Sequence, residues 1–236
     1  MGEREQERLE SVYGSRAYDS DPAYRDTEPS YLQRVQGLER QILRALSVAG
    51  TSRDLTSLEV LDYGCGNGLW MGRWLAWGAD YRRLHGVDIR ESAIDCARTR
   101  IPGVDFQSFD GSTLPYDDAS IDLVSINLVF SSILSASVRR SCALDIQRVT
   151  KPGGLVLWYD FVVDNPKNPD VRGISASRAR NIWAPFEPIL QRHLTLAPPI
   201  ARRVAPRSAF AATALESLVP PIRTHYFAAF QRPLGA

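Results

Sequence analysis

Apolar and polar residues follow two periods along this chain, and each switch between them predicts an element. Residues 1–30 are polar, punctuated by Tyr13, Tyr18 and Tyr24, and Pro22 and Pro29 interrupt any long helix there. From Ser30, a suitable N-cap, Tyr31, Val35, Leu38, Ile42 and Leu46 recur at helical spacing and predict a helix to about Ser47. Beyond Ala49-Gly50 and the polar "TSRDLTS", short apolar runs alternate with helical stripes. "SLEVLDY" reads as a buried strand and "GLWMGRWLAWGA" as a helix ended by Gly78. "LHGVDI" is a second strand, and "ESAIDCARTRI" a helix stopped by Pro102-Gly103. "VDFQSF" and "IDLVSIN" are the third and fourth strands. Val138, Cys142, Ile146 and Val149 share one helical face, Lys151-Pro152-Gly153-Gly154 breaks that helix, and "LVLWYDFV" is a fifth strand. Strands alternating with helices predict an α/β protein with a parallel sheet covered on both faces.

The last third changes character. "PILQRHLTL" and "IRTHYFAAF" read as two strands, separated by a proline-bracketed stretch with a short helix near residues 207–218. Two strands around one helical excursion predict an antiparallel pair at the sheet edge.

Composition narrows the class. The 236 residues are 44% hydrophobic and 23% charged, near a soluble globular average. That length suits one α/β domain with an appendage. A net charge of +1 argues against nucleic-acid binding through the overall field. No apolar run approaches the roughly 20 residues of a membrane span. "MGEREQERLE" lacks the apolar core of a signal peptide. Cys65, Cys96 and Cys142 form no C-x-x-C pair, and the three histidines are isolated, so no metal site is expected. These features point to a reduced, cytoplasmic protein.

The candidate chemistry starts at "LDYGCGNG". Gly64, Gly66 and Gly68 let the backbone turn tightly after a strand and approach a ligand closely. The helix start that follows supplies unpaired N–H groups. The spacing is G-x-G-x-G, not the G-x-G-x-x-G of pyrophosphate-binding dinucleotide domains. Asp62 at the strand's end suits a ligand with a cationic amino group. Asp88 closes the second strand, where a carboxylate accepts from both ribose hydroxyls. Asp110 follows the third strand, where a carboxylate accepts from an adenine amino group. Three acids at three strand ends describe a cleft for an adenosine carrying a cationic tail.

On "VLDYGCGNG", "LHGVDI", "FDGSTLPYDDASIDLV" and "RVTKPGGLVLWYD", the chain resembles the class I S-adenosylmethionine-dependent methyltransferases over roughly residues 35–232. The resemblance implies a Rossmann-like fold: a seven-stranded, mostly parallel sheet with an antiparallel strand 7 and helices on both faces. It implies that Asp62 and the loop of Gly64, Cys65, Gly66 and Gly68 hold the methionine part of S-adenosyl-L-methionine. By the same likeness Asp88 holds the ribose and Asp110 the adenine, with Ile89 and Gly111 flanking the ring. Asn127 would lie beside the sulfonium. Residues 1–48 would be a helical lid, with Tyr13 and Tyr18 over the cofactor. Residues 49–236 would be the methyltransferase domain, with a substrate-side insertion at about 162–220. The chain departs from many small-molecule members, which carry a His pair where it has Ser131-Ser132. It also lacks the Asn-Pro-Pro-aromatic motif of nucleic-acid amino methylases, having Asn127-Leu128-Val129-Phe130 there.

Methyl transfer from a sulfonium is an in-line displacement, so alignment and water exclusion supply much of the acceleration. A base is needed only when the acceptor enters protonated. Asp160, at the end of the fifth strand, is the leading candidate to orient or deprotonate the acceptor, with His225 and Tyr13 as further candidates. Cys65 reads as a small buried filler and Trp70, Trp74 and Trp77 as packing. Arg172, Arg202, Arg203 and Arg207 would face solvent or greet an anionic acceptor. The expected acceptor is a small molecule of sugar, glycan or natural-product type, methylated on oxygen or nitrogen. A non-catalytic S-adenosylmethionine-binding module and a nicotinamide-dependent oxidoreductase are the alternatives. Monomer and homodimer are both open.

Overall fold

The structure, a computed structural model, describes residues 3–14, 27–51, 54–111, 113–165 and 168–235. Seven strands form one sheet: β1 (Val60–Tyr63), β2 (Leu84–Asp88), β3 (Asp105–Ser108), β4 (Ile121–Asn127), β5 (Thr150–Phe161), β6 (Glu187–Leu196) and β7 (Arg223–Gln231). Their spatial order is β3-β2-β1-β4-β5-β7-β6. The first five strands are mutually parallel, and β7 runs antiparallel to both β5 and β6. The predicted edge pair is therefore present. Strand order reverses between β1 and β4, the place where open α/β sheets leave a crevice at their carboxyl ends.

Eight α-helices accompany the sheet among the described residues: α1 (Glu3–Gly14), α2 (Pro29–Val48), α3 (Leu69–Ala76), α4 (Glu91–Arg100), α5 (Ala136–Val149), α6 (Ala176–Trp183), α7 (Pro198–Val204) and α8 (Ala209–Leu218). The period-two alternation of each strand divides the core. Leu61, Tyr63, Val124, Ile126, Val156 and Trp158 face α5 and α6. Val60, Leu84, Leu123, Leu155 and Leu157 face α2, α3 and α4. Burial on both faces is what makes these strands read as near-continuous apolar runs. No helix among the described residues is long and apolar enough to cross a membrane.

Two local expectations are corrected. Glu28, not Ser30, caps α2: its side chain accepts from the Ser30 amide, and Pro29 takes the first helical position, where a missing N–H costs nothing. Lys151–Gly154 is not a turn but the start of β5. There Gly153 N donates to Arg232 O and Arg232 N to Gly154 O, both at 2.9 Å. The stretch 162–220 supplies α6, α7, α8 and the sheet strand β6.

Candidate active site

At the carboxyl end of β1 the chain turns through the glycine loop. Gly64 N and Cys65 N both donate to Val87 O, at 2.8 and 2.9 Å, which ties the loop to the end of β2. Gly64 has φ +74°, and a Cβ there would sit 2.5 Å from Val129 Cγ2. Gly68 caps α3 with φ +78°, and a Cβ there would meet Phe106 Cζ at 3.1 Å. Glycine is required at both positions by backbone conformation and by space.

Asp88 holds the same loop from below. Its Oδ2 accepts from Gly66 N at 2.9 Å, and its Oδ1 from Arg90 N at 3.0 Å and Arg90 Nε at 3.0 Å. Asp62 is buried, at 2% exposure, under the loop. Burial pushes its carboxyl up to about 7, with the nearby Asp88 charge adding to the rise and a hydrogen bond from Ser125 opposing it. Ser125 Oγ also accepts from Asn127 Nδ2 at 2.9 Å, so one polar chain runs from β1 to the end of β4. Two neighbouring carboxyl groups, a backbone cradle and the apolar Ile89 and Phe109 thus meet at this edge of the sheet.

A cavity of about 760 Å³ opens on this edge of the sheet. Gly64, Cys65, Gly66, Asp88, Ile89, Asn127 and Tyr13 line it, as does Trp70, which sequence spacing had assigned to packing. Burial drives the Cys65 thiol well above its ordinary range, so it offers no thiolate. Gly68 lies behind the loop. Asp110 is exposed and Gly111 buried at the margin, outside the cavity lining, while Phe109 beside them lines it and meets Tyr63 edge-on at 5.5 Å. Tyr18 lies outside the described residues.

The far wall comes from elements distant in sequence. Tyr31 and Arg34 reach in from α2, Arg202 from α7, Phe161 from the end of β5, and Asn165 and Asn168 from the residues after it. Sequence reasoning missed Arg34 and Arg90, whereas Asn165 and Asn168 fall within the expected substrate-side stretch 162–220. Arg90 was signalled only by standing two residues after Asp88. Leu128, directly after Asn127, holds φ +61° while its amide donates to Tyr159 O at 2.8 Å. A leucine in this region is strained, and the loop that follows lines the cavity through Val129, Ser132 and Ile133.

Two predicted catalytic groups lie behind that wall. Asp160 is 1% exposed and outside the lining. Its Oδ2 accepts from Ser131 N at 2.9 Å and its Oδ1 from Phe161 N at 2.8 Å. Burial raises its carboxyl to about 6 against those hydrogen bonds. His225 is equally buried, stacked on Tyr159 at 4.8 Å and against Phe161 at 4.1 Å, with its Nδ1 on Thr224 Oγ1. Burial pushes it well below the usual histidine range, so it is neutral. Tyr13 does reach the cavity, its hydroxyl 2.5 Å from Ser132 Oγ.

A family model described as a methyltransferase domain matches residues 60–154, the span from β1 into β5. Over this span the chain is similar to methyltransferases. The phthiotriol/phenolphthiotriol dimycocerosates methyltransferase of Mycobacterium tuberculosis is 36% identical to this chain over 124 residues. That alignment covers 49% of this chain and 42% of the relative, less than half of either. The malonyl-[acyl-carrier protein] O-methyltransferase of Erwinia pyrifoliae is 35% identical over 109 residues, 45% of this chain and 38% of the relative. Among solved structures, the geranyl diphosphate C-methyltransferase from Streptomyces coelicolor A3(2), in complex with Mg2+, geranyl diphosphate and S-adenosyl-L-homocysteine, superposes with a TM-score of 0.68. It covers 98% of this chain and 100% of that one at 15% identity, a likeness of fold.

Proposed function

We propose that this chain is an S-adenosylmethionine-dependent methyltransferase acting on oxygen or nitrogen of a small-molecule acceptor of sugar, glycan or natural-product type. The observation that carries the reading is the single cavity running from the glycine loop and Asp88 to Tyr13, Arg34 and Phe161. It is large enough for a cofactor-sized ligand with an acceptor beside it. The two relatives above are themselves named as methyltransferases of lipid-type and carrier-linked acceptors.

In this reading Asp88 accepts from the ribose, Asp62 underlies the glycine loop that holds the methionine part, and Ile89 and Phe109 flank the adenine with Asp110 and Gly111 at its edge. Asn127, braced by Ser125, closes the methionine end. The bound cofactor supplies an electrophilic methyl group. The protein's share is to align the acceptor and exclude water. Residues 1–48 serve as the lid and 162–220 as the acceptor wall. Asp160 and His225 are positioning residues: the first pins the 128–133 loop to β5, and the second props Phe161. Calorimetric titration with S-adenosyl-L-homocysteine should show saturable binding, and its absence would sink the reading.

A further inference from the structure

We infer that the chain carries a second binding site, for a phosphate monoester group, in a pocket between α6 and the paired strands β6 and β7. The inference is independent of the methyltransferase reading. A cavity of about 300 Å³ opens there, lined by Arg180 from α6, Gln191, Arg192 and His193 from β6, and Arg223 and Tyr226 from β7. It shares no lining residue with the larger cavity. Three contacts converge on Gln191. Its Oε1 accepts from Tyr226 OH at 2.6 Å and from Arg180 Nη1 at 3.3 Å, and its main-chain O accepts from Arg192 Nη1 at 3.2 Å. With Oε1 engaged twice, the side-chain NH2 is the end of that amide left to give a hydrogen bond. The His193 ring lies 5.2 Å from that of Tyr226. Arg223 Nε and Nη2 donate to Glu216 O and Ser217 O, at 2.6 and 2.7 Å, which fixes its guanidinium. Burial and that Arg223 charge hold the His193 imidazole below its ordinary range.

What marks this pocket is charge without counter-charge. Arg8, Arg82 and Arg148 each meet a carboxylate, on Glu5, Asp80 and Asp145. The hydrogen-bond acceptors of Arg180, Arg192 and Arg223 are instead neutral oxygens, and none of the three forms an ion pair among the described residues. No carboxylate lines the pocket. Glu216 spends its carboxylate on Thr195 N at 2.9 Å and Gln33 Nε2 at 3.3 Å, and Glu187 pairs with Gln231 at the other end of β6. The lining thus offers three positive charges and an excess of donors. A phosphate monoester brings about 1.5 to 2 negative charges and three acceptor oxygens at neutral pH, where a carboxylate brings one charge and two oxygens. Tyr226 is buried at the floor, whereas Arg180, Arg192 and His193 are exposed at the mouth. The phosphate enters end-on, and the molecule that bears it stays outside.

Calorimetry on the full chain with sn-glycerol 3-phosphate should show one saturable site, competed by inorganic phosphate and ignored by acetate at equal ionic strength. Co-sedimentation with phosphatidylcholine vesicles, with and without phosphatidic acid, distinguishes a lipid phosphate from a soluble one. Saturable binding in either arm supports the site, provided that the variants weaken it. Arg180→Gln and Arg192→Gln should each do so about tenfold or more, the worth of a hydrogen bond between charged groups. Both side chains are exposed, and unchanged thermal unfolding reports that the variants fold. By nuclear magnetic resonance the His193 ring should titrate at higher pH with phosphate bound, because an anion beside it favours the protonated form. Acetate binding as tightly as phosphate overturns the inference, as do binding indifferent to both variants, an unmoved His193, or no saturable binding in either arm.

Discussion

At one end of the cavity the walls are largely backbone: the amides of Gly64, Cys65 and Gly66 are fixed to Val87 O and Asp88 within one β-turn-α unit. At the other end the walls are side chains delivered by α1, α2, α7 and the 161–171 segment, far apart in the chain. The first end tolerates little change, because its shape is set by φ values and by space that Cβ atoms would fill. The second is free to vary in chemistry while the sheet beneath stays the same. The ends meet at one contact, where Val129 covers Gly64. That contact is where the distinction is most easily broken.

Gly64→Ala should therefore have the largest effect. A methyl group 2.5 Å from Val129 Cγ2 forces movement, and the left-handed backbone adds about 1–2 kcal/mol. Binding of S-adenosyl-L-homocysteine should fall by about 100-fold or more, equivalent to ~2.7 kcal/mol. Val129→Ala in the same chain removes the clash but not the backbone cost, so calorimetry should show partial recovery. Full recovery would mean that space alone dictates glycine there.

Titration separates the two ends next. Asp62 in the folded chain titrates near 7 and Asp160 near 6, both above the ordinary 3.8. The folded state thus keeps protons that the unfolded chain has already released. Their contribution to stability is full below about pH 4 and is lost as pH rises through each folded value. At ~1.4 kcal/mol per unit, the decline amounts to a few kcal/mol for each group. Denaturant unfolding followed from pH 4 to 8 should show Asp62→Asn flattening the decline up to about pH 7, and Asp160→Asn only the part below about pH 6. An unchanged slope in Asp62→Asn would refute its buried, proton-holding state.

Asp88→Ala comes third. It removes the acceptor of the Gly66 and Arg90 amides and of Arg90 Nε. A hydrogen bond to a charged group is worth ~1.5–3 kcal/mol, so S-adenosyl-L-homocysteine affinity should drop roughly 10- to 100-fold. Acceptor affinity measured on the same variant, at saturating S-adenosyl-L-homocysteine, should change far less. Equal losses would show that the ends are not independent.

The same contrast explains what the sequence made legible. The sheet was readable because period and burial coincide, as in "VLDY" and "IDLVSIN", and because glycine marks turns such as Gly64–Gly68 and Gly78. The cofactor end was readable because its residues are neighbours along the chain: Asp62 through Gly68, then Asp88 and Ile89. Arg34 was hidden because its helix carries its apolar stripe on another face, and nothing local marks it as facing a cavity. Asp160 was misassigned as a base for the opposite reason. A strand-end carboxylate looks catalytic in sequence, but the Ser131 and Phe161 amides claim both its oxygens. Trp70 does both: it packs against the core, as the spacing that it shares with the buried Trp74 predicted, and it also lines the cavity.

Tyr13→Phe should be the mildest change and the sharpest probe of how α1 closes the acceptor end. The hydroxyl pair with Ser132 is one of several ties. Arg8 also donates to Ser132 O, Glu5 Oε1 accepts from Leu134 N at 2.7 Å, and Leu9 is buried against the core. Losing one hydrogen bond costs ~1 kcal/mol, so α1 should stay docked and acceptor KM should rise about fivefold. Affinity for S-adenosyl-L-homocysteine should hold, because none of these ties touches the glycine loop. A fall in kcat at constant KM would instead place the Tyr13 hydroxyl at the reacting atoms, and α1 would then be part of the chemistry as well as the lid.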